Sequence, residues 1–434
     1  MEFHDVLHGH IVIEHPEVKD MVRDLISSTE LQRLRNMRQM NFDVPLIQEL
    51  GRSRRLPHSI GVAHVALTLA QQGQLTVKEI KELVAAALLH DAAIPPYGHL
   101  VETEFKQNKI KKFDHADILK SFIFGTFPDR NSFTEILPKR QLEVNKVLNR
   151  HDVDPDKVFE LVAPHGNKKS PIAADVDLDN IDNVHRMAVL LGWKNAKENT
   201  KKLLDATKLN SLKQMRFTTE AVEPLRNWLD FREKIYTLII AHPECIPHNA
   251  LQSDLVESAV INGVISNDNW YLSEPEFEDN LRKNEKTKDL AEQLISGCNY
   301  SFIDYVWIKN IDTQEKLKNS DVKRKMSESI DFELNDTGYF IWSEKGLISR
   351  EINWLDENGK KHRLGENSKS CMIALVKKTP GGKATNDQKS KWREAVVAEF
   401  ECLAKTRRFD LAFPEDYSGS YFSRGTNEFE LKLQ

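Results

Sequence analysis

Leu83-Val84-Ala85-Ala86-Ala87-Leu88-Leu89-His90-Asp91-Ala92-Ala93-Ile94-Pro95-Pro96 places an ionisable pair at the end of an apolar run and follows it with two prolines. Seven uninterrupted apolar residues read as a buried helix, and the prolines close it. An imidazole and a carboxylate buried together are costly unless something compensates them. A divalent metal does so, because neutral imidazole and carboxylate are both ligands for it. A His-Asp pair alone carries little. His4-Asp5 and His151-Asp152 are two more, and neither follows an apolar helical run. Both read as surface residues.

Upstream of the pair lies His58, in Arg54-Arg55-Leu56-Pro57-His58-Ser59. Downstream lies an acidic cluster, Asp175-Val176-Asp177-Leu178-Asp179-Asn180-Ile181-Asp182. The three segments supply the order His, His-Asp, Asp. Two imidazoles and two carboxylates form a mixed nitrogen and oxygen set for a borderline or hard divalent ion. Zinc, manganese, iron, nickel and magnesium are not distinguished by it.

The 434 residues allow one large domain and a smaller one. The composition, 40% hydrophobic and 29% charged, is that of a globular protein. With a net charge of -5 there is no overall basic bias toward nucleic acid or anionic membrane, although Arg52, Arg54 and Arg55 make a local basic patch beside His58. The opening MEFHDVLHGH lacks a basic stretch followed by an apolar one, and no run approaches the roughly 20 apolar residues of a membrane span. Four scattered cysteines, Cys245, Cys298, Cys371 and Cys402, fit neither a metal knuckle nor a disulfide framework. The expectation is a reduced, cytoplasmic protein.

The fold class read from the pattern is mostly α, a helical core over residues 1–310 with a small α+β lobe over 311–434. Helices are expected over 18–34, broken near Ser27 to Glu30, and over 60–69, 80–89, 177–191, 228–241 and 256–265. The charged stretch 266–288 reads as the exposed face of a helix. After about 310, strands are expected over 339–342, 351–355, 361–364 and 371–376. Asn358-Gly359 marks a hairpin turn and a helix over 389–403 closes the lobe.

Five motifs then occur in an order that is specific in combination. They are Asp5-Val6-Leu7-His8-Gly9-His10, Glu30-Leu31-Gln32-Arg33-Leu34-Arg35 with Arg38-Gln39-Met40, Arg55-Leu56-Pro57-His58-Ser59, Leu89-His90-Asp91 through His99, and Asp177-Leu178-Asp179-Asn180-Ile181-Asp182. In this the chain resembles the HD-superfamily deoxynucleoside triphosphate triphosphohydrolases, among them the bacterial dGTPases and the SAM-and-HD-domain dNTPase. The similarity covers roughly residues 5–305. It implies one metal ion held by His58, His90, Asp91 and Asp179. It implies that Arg55 and Arg232 contact phosphate, that Gln39 meets the sugar, and that His115 is catalytic alongside Arg55 and Asp91. It also implies a nucleotide substrate and a homo-oligomer, and assigns His8 and His10 structural roles. Asp177 and Asp182 read as a helix cap or as supporting carboxylates rather than ligands. His99 is equally open to a structural and a catalytic reading, and His64, six residues past His58, falls on a different side of its helix.

The chain also departs from the family pattern. Ile94 replaces a histidine, Asn180 a lysine, Asn183 a tyrosine, and Ile240 the tyrosine that packs on the sugar. Lys111, Lys112, Lys168 and Lys169 are the cations between the motifs that could stand in for the lysine. Three functions remain: hydrolysis of deoxynucleoside triphosphates, hydrolysis of another nucleotide by the same fold, and a binding module with a structural metal.

Overall fold

The computed structural model describes residues 1–41, 44–73, 75–107, 114–127, 143–166, 168–210, 213–266, 270–313, 317–332, 334–344 and 346–417. Lys111 and Lys112 lie outside them. Helix dominates, with small antiparallel sheets at the N-terminus and in the C-terminal part. The apolar run before His90 forms the end of the helix Val77–Leu89. Thr76 and Glu79 start that helix with a reciprocal capping box. Leu83 to Leu89 are at most 1% exposed, so the helix is surrounded by apolar side chains. Arg55–Gln72 packs against it, and Leu178–Leu190 packs against Arg55–Gln72 in turn. Full burial stabilises each Leu or Val side chain by roughly 1.5–3 kcal/mol. This scaffold therefore has its own reasons to fold, apart from any ion between its helices.

Several helices extend beyond their expected bounds. Residues 60–69 belong to Arg55–Gln72, 228–241 to Val222–Ala241, and 256–265 to a helix that runs Ile246–Ile261. The early turns were hidden because they carry polar residues, or a proline at a first-turn position where it is tolerated. The break near Ser27 is real: Pro16–Ile26 ends there and Ser28 caps Thr29–Arg33. Within 266–288, Glu274–Lys283 is a charged helix that buries Phe277 and Leu281.

The C-terminal part centres on a four-stranded antiparallel sheet in the order Asp410–Ala412, Ser301–Lys309, Cys371–Lys377, Thr337–Ser343. Three of its elements were not expected: the helix Asn319–Ser329, the short strand Asp410–Ala412 and the long strand Ser301–Lys309. The long strand has no alternation because it is buried on both faces, which reads ambiguously in sequence. One face, with Tyr305, Trp307, Phe340 and Met372, joins the helical core. The other, with Val306, Ile341 and Ile373, is covered by Asn319–Ser329 and Asn386–Ala404 through Val322, Met326, Trp392 and Phe400. The expected hairpin is present, Ile352–Leu355 pairing with Lys361–Leu364. No helix among the described residues is long and apolar enough to cross a membrane.

Two surface assignments need correction. His4 and Asp152 are exposed, but the Asp5 carboxylate is only 5% exposed and pairs with Arg186 at 2.7 Å. His151 is largely covered and bonds Asp24 at 2.9 Å. An apolar run in sequence is one route to burial; long-range charge pairing is another, and local sequence does not show it.

Candidate metal centre

The three helices bring His58, His90 and Asp179 together. One ligand atom from each lies within 4.8 Å of the others. His58 stands on the first turn of Arg55–Gln72, His90 at the C-cap of Val77–Leu89, and Asp179 on the first turn of Leu178–Leu190, whose N-cap is Asp177. The His58 and His90 rings meet edge-on with centroids 5.2 Å apart. His58 Nε2 is 2.9 Å from Asp179 Oδ1, and His90 Nε2 is 3.6 Å from the same oxygen.

Each imidazole is oriented from behind. His90 Nδ1 lies 2.8 Å from the Ala87 carbonyl oxygen, so that nitrogen carries the proton and Nε2 is left as a base. His58 Nδ1 is 2.7 Å from Asp182 Oδ1. Asp182, fully buried, also meets His8 Nε2 at 2.7 Å and accepts from Arg186 Nε at 2.8 Å and Nη2 at 2.9 Å. Arg186 in turn donates to Asp5. A carboxylate behind a ligand histidine is the usual device for fixing tautomer and ring angle. His8 and Asp182 thus stand behind His58 in a buried hydrogen-bonded chain, on the ring nitrogen that does not meet Asp179.

Asp91 is placed differently from the other three. Its Oδ2 accepts from Arg55 Nη1 at 2.6 Å and stands 3.7 Å from His90 Nε2. Arg55, with His90, holds the Asp91 carboxyl well below the usual range despite burial. Ile94 is buried in the apolar core and adds no donor.

The residues present fit a divalent ion. His90 Nε2 is buried and has no hydrogen-bond partner, which is costly unless something takes its lone pair. Burial favours the neutral His90 ring, yet Asp91 and Asp179 outweigh it and lift the pKa to about 10. Burial likewise opposes, and Asp179 and Asp182 overcome it, in raising His58. Burial and the Asp179 charge push Asp177 up to about 6. The centre is thus a concentration of negative charge that favours a cation. His58, His90 and Asp179 supply two nitrogen donors and one oxygen, a set suited to a divalent metal.

His58 and Asp179 line a cavity of about 510 Å³ that also takes in Gln39, Arg55, Asp91, His99, Asn180, Asn183 and Arg232, with His90 behind them. Gln39 donates to Asn183 Oδ1 at 2.7 Å and accepts from Ser53 at 2.5 Å. Arg232 donates to Asn180 Oδ1 and to the Gly346 carbonyl, both at 3.1 Å, and lies over the rings of Trp228 and Tyr236. The residues that replace the family's lysine and tyrosine thus engage the side chains expected to meet substrate. Ile240 is buried in the core and does not face the cavity. Lys168 and Lys169 lie in a separate cleft, paired with Glu160 and Asp175.

His115 is not part of the cavity lining. It begins the helix His115–Phe124 and meets Glu102 at 3.1 Å, as does His99 at 3.0 Å. Sequence reasoning missed Glu102, and it missed Arg33, which donates to the carbonyls of Ala92 and Ile94 and pins the turn after Asp91. Arg33 acts across about sixty residues, which no motif spacing encodes, whereas Glu102 sits only three residues from His99 on the same helix. The C-terminal part was read without any motif, yet Tyr339 to Ser343 and the start of the helix Asn319–Ser329 line the same cavity.

Residues 55–187, the stretch that carries every member of the cluster, match the HD domain, so the chain contains one. Among known proteins it is 22% identical over 364 residues to an uncharacterized protein of Methanocaldococcus jannaschii, covering 82% of this chain and 66% of that one. It is 32% identical over 122 residues to a deoxynucleoside triphosphate triphosphohydrolase SAMHD1 homolog of Dictyostelium discoideum, covering 26% of this chain and 23% of that protein. It is 28% identical over 200 residues to the uncharacterized protein YwfO of Bacillus subtilis, covering 44% and 40%. The chain thus spans less than two thirds of the length of each of these relatives.

Proposed function

We propose that this protein is a metal-dependent phosphohydrolase that cleaves deoxynucleoside triphosphates to deoxynucleoside and triphosphate. The observation that carries the reading is the His58, His90 and Asp179 cluster, two members of which line a cavity together with two buried arginines, Arg55 and Arg232. Each arginine has a buried Nε without a partner. His58, His90 and Asp179, with Asp91, would hold a divalent ion, which when bound would supply Lewis-acid activation of water and of a phosphoryl oxygen.

The chain's own side chains supply the rest. Water attacks the α-phosphorus and the bond to the 5′ oxygen breaks. Arg55 and Arg232 offset the negative charge that builds on the phosphoryl oxygens. Gln39, held by Ser53 and Asn183, presents an amide to the sugar. The proton for the departing 5′ oxygen is assigned to His115, whose pKa the bond to Glu102 raises; the ring lies outside the cavity lining and must swing toward the phosphate to deliver it. The 32% identity to the Dictyostelium triphosphohydrolase homolog supports this reading over 122 residues. The homo-oligomer and the cytoplasmic location implied by the sequence belong to the same proposal.

A second reading is favoured by Asn180 and Asn183, which leave the cavity without the family's lysine and tyrosine. A lost charge-assisted bond to phosphate costs ~1.5–3 kcal/mol. On this reading the same centre hydrolyses a nucleoside monophosphate or a modified or cyclic nucleotide. Chromatography of products from the four dNTPs, their monophosphates and ribonucleotides, with metal added, separates the two. Triphosphate released from any dNTP supports the proposal. Orthophosphate from monophosphates alone replaces it with the second reading, and no turnover at all favours a binding module.

A further inference from the structure

One wall of the cavity is the outer strand of the C-terminal sheet, Thr337–Ser343. Among the described residues it pairs only with Cys371–Lys377, and its other edge has no strand neighbour. In an antiparallel strand the N–H and C=O of one residue point to the same side, and the side alternates along the chain. The inner side is fixed by bonds at both ends of the strand. The Lys378 N–H donates to the Asp336 carbonyl and the Glu344 N–H to the Ser370 carbonyl, both at 2.7 Å. The register between the strands is unbroken from Thr337 to Ser343. Even-numbered residues therefore face the partner strand, and Tyr339, Ile341 and Ser343 turn their backbone groups to the free edge. Asn319 confirms the direction by donating from Nδ2 to the Ile341 carbonyl at 3.0 Å.

A free strand edge is ordinarily blunted or covered, because its backbone groups are a template for pairing. Here it borders the cavity that His58 and Asp179 line. Beside it stands Trp342, half-buried and lining the same cavity, with its ring perpendicular to that of Trp307 at 6.2 Å. Trp307 is anchored in turn by its Nε1 bond to Ser370. The cavity thus has His58, Asp179, Asp91, Arg55 and Arg232 in its lining. A second part of the lining combines backbone donors and acceptors with a positioned indole.

We infer that this second part is a nucleobase subsite. The outward N–H groups of Tyr339, Ile341 and Ser343 and the carbonyls of Tyr339 and Ser343 pair with the polar edge of the base, the Ile341 carbonyl being taken by Asn319, and Trp342 covers its face. The inference rests on the nucleotide reading above and deepens it. The C-terminal lobe selects the base, whereas the HD helices handle phosphate. Backbone groups of both kinds, donor and acceptor, alternate along the edge, so several bases can pair by shifting along it.

The test compares two probes on the metal-loaded full-length protein, a dNTP and inorganic tripolyphosphate, which has no base. Stacking of a base on an aromatic side chain, when removed by alanine, costs roughly 1–3 kcal/mol. Trp342→Ala should therefore weaken dNTP binding by roughly 5- to 150-fold and leave tripolyphosphate binding unchanged, and Trp342→Phe should recover most of the loss. Ser343→Pro removes one outward N–H without touching the inner pairing. It should weaken only the dNTP, and Ser343→Ala controls for the hydroxyl. Circular dichroism checks that each variant folds. Equal loss for both probes, or an unchanged dNTP affinity in Trp342→Ala, overturns the inference. Wild-type protein that binds tripolyphosphate but no nucleotide overturns it while sparing the phosphate end. Wild-type protein that binds neither removes the nucleotide reading and this inference together.

Discussion

His90 divides its work between two nitrogens: Nδ1 is spent on the Ala87 carbonyl and Nε2 is held back, buried and unpaired. Replacing it with Asp91, as His90→Ala with Asp91→Ala, should lower turnover by roughly a thousandfold or more, because an ion's electrostatic contribution is several kcal/mol. The apolar contacts of residues 83–89 remain, so circular dichroism should show a folded protein. Retained turnover would place the chemistry elsewhere. His115 offers a pH test. The bond to Glu102 raises its pKa above the ordinary value of about 6.5, with burial opposing. An acid with a raised pKa stays protonated to higher pH, so the alkaline limb of kcat/KM should lie above pH 6.5. Glu102→Gln removes the charge and should move that limb to lower pH. His115→Gln should cost about 10²- to 10⁴-fold in rate. A limb that does not move in Glu102→Gln removes His115 from the role of acid.

Among the elements, the helix Arg55–Gln72 is notable for Gly61 in its interior. A glycine there normally costs about 1 kcal/mol against alanine. The position is explained by what lies across the interface. A Cβ on Gly61 would come within 2.2 Å of Asp182 Oδ2 and 2.3 Å of Arg186 Nη2. Those atoms are locked by His58, His8 and Asp5 and cannot move aside cheaply. Gly61→Ala should therefore reverse the usual sign and destabilise the protein by about 1–3 kcal/mol, and weaken metal binding by tilting His58. Unfolding by urea reads the first effect and chelator competition the second. A stabilised variant would mean that the two helices are not packed as described. The helix Leu178–Leu190 carries a pH dependence of its own in His185, which is neutral in the fold: Nδ1 donates to the Ile181 carbonyl and Nε2 accepts from Asn199. Burial holds its pKa at about 4. The unfolded chain binds the proton first, near pH 6.5. Stability contributed by His185 is thus complete above about pH 6.5, falls as the pH drops toward 4, and levels off below. The full loss is roughly 3 kcal/mol. Urea titrations of wild type and His185→Gln should diverge in slope over that window, and identical slopes would contradict a neutral buried ring.

At the scale of the whole molecule, the chain places an HD helical core against an α+β lobe and forms its cavity between them. The core was legible because Leu83 to Leu89, His58 and the acidic cluster each carry a local signal of burial or capping. His58, His90 and Asp179 then meet because three helices pack. What was not legible depends on partners distant in sequence. Asp182 serves His8 and His58 from 174 and 124 positions away. Glu102 lies among other charged residues and reads as a surface carboxylate. The strand Thr337–Ser343 looked like any lobe strand until the sheet order made it an edge lining the cavity. Domain-level pattern reading finds helices and strands, whereas the wall of a site depends on how two layers are laid against each other. The account turns on the metal centre, and the most direct measurement is elemental analysis of the purified protein, after equilibration with divalent ions and gel filtration, for wild type and for His90→Ala with Asp91→Ala. The account predicts one divalent ion per wild-type chain and far less in the variant. Equal metal content in the two proteins, or two ions per chain in the wild type, would contradict it.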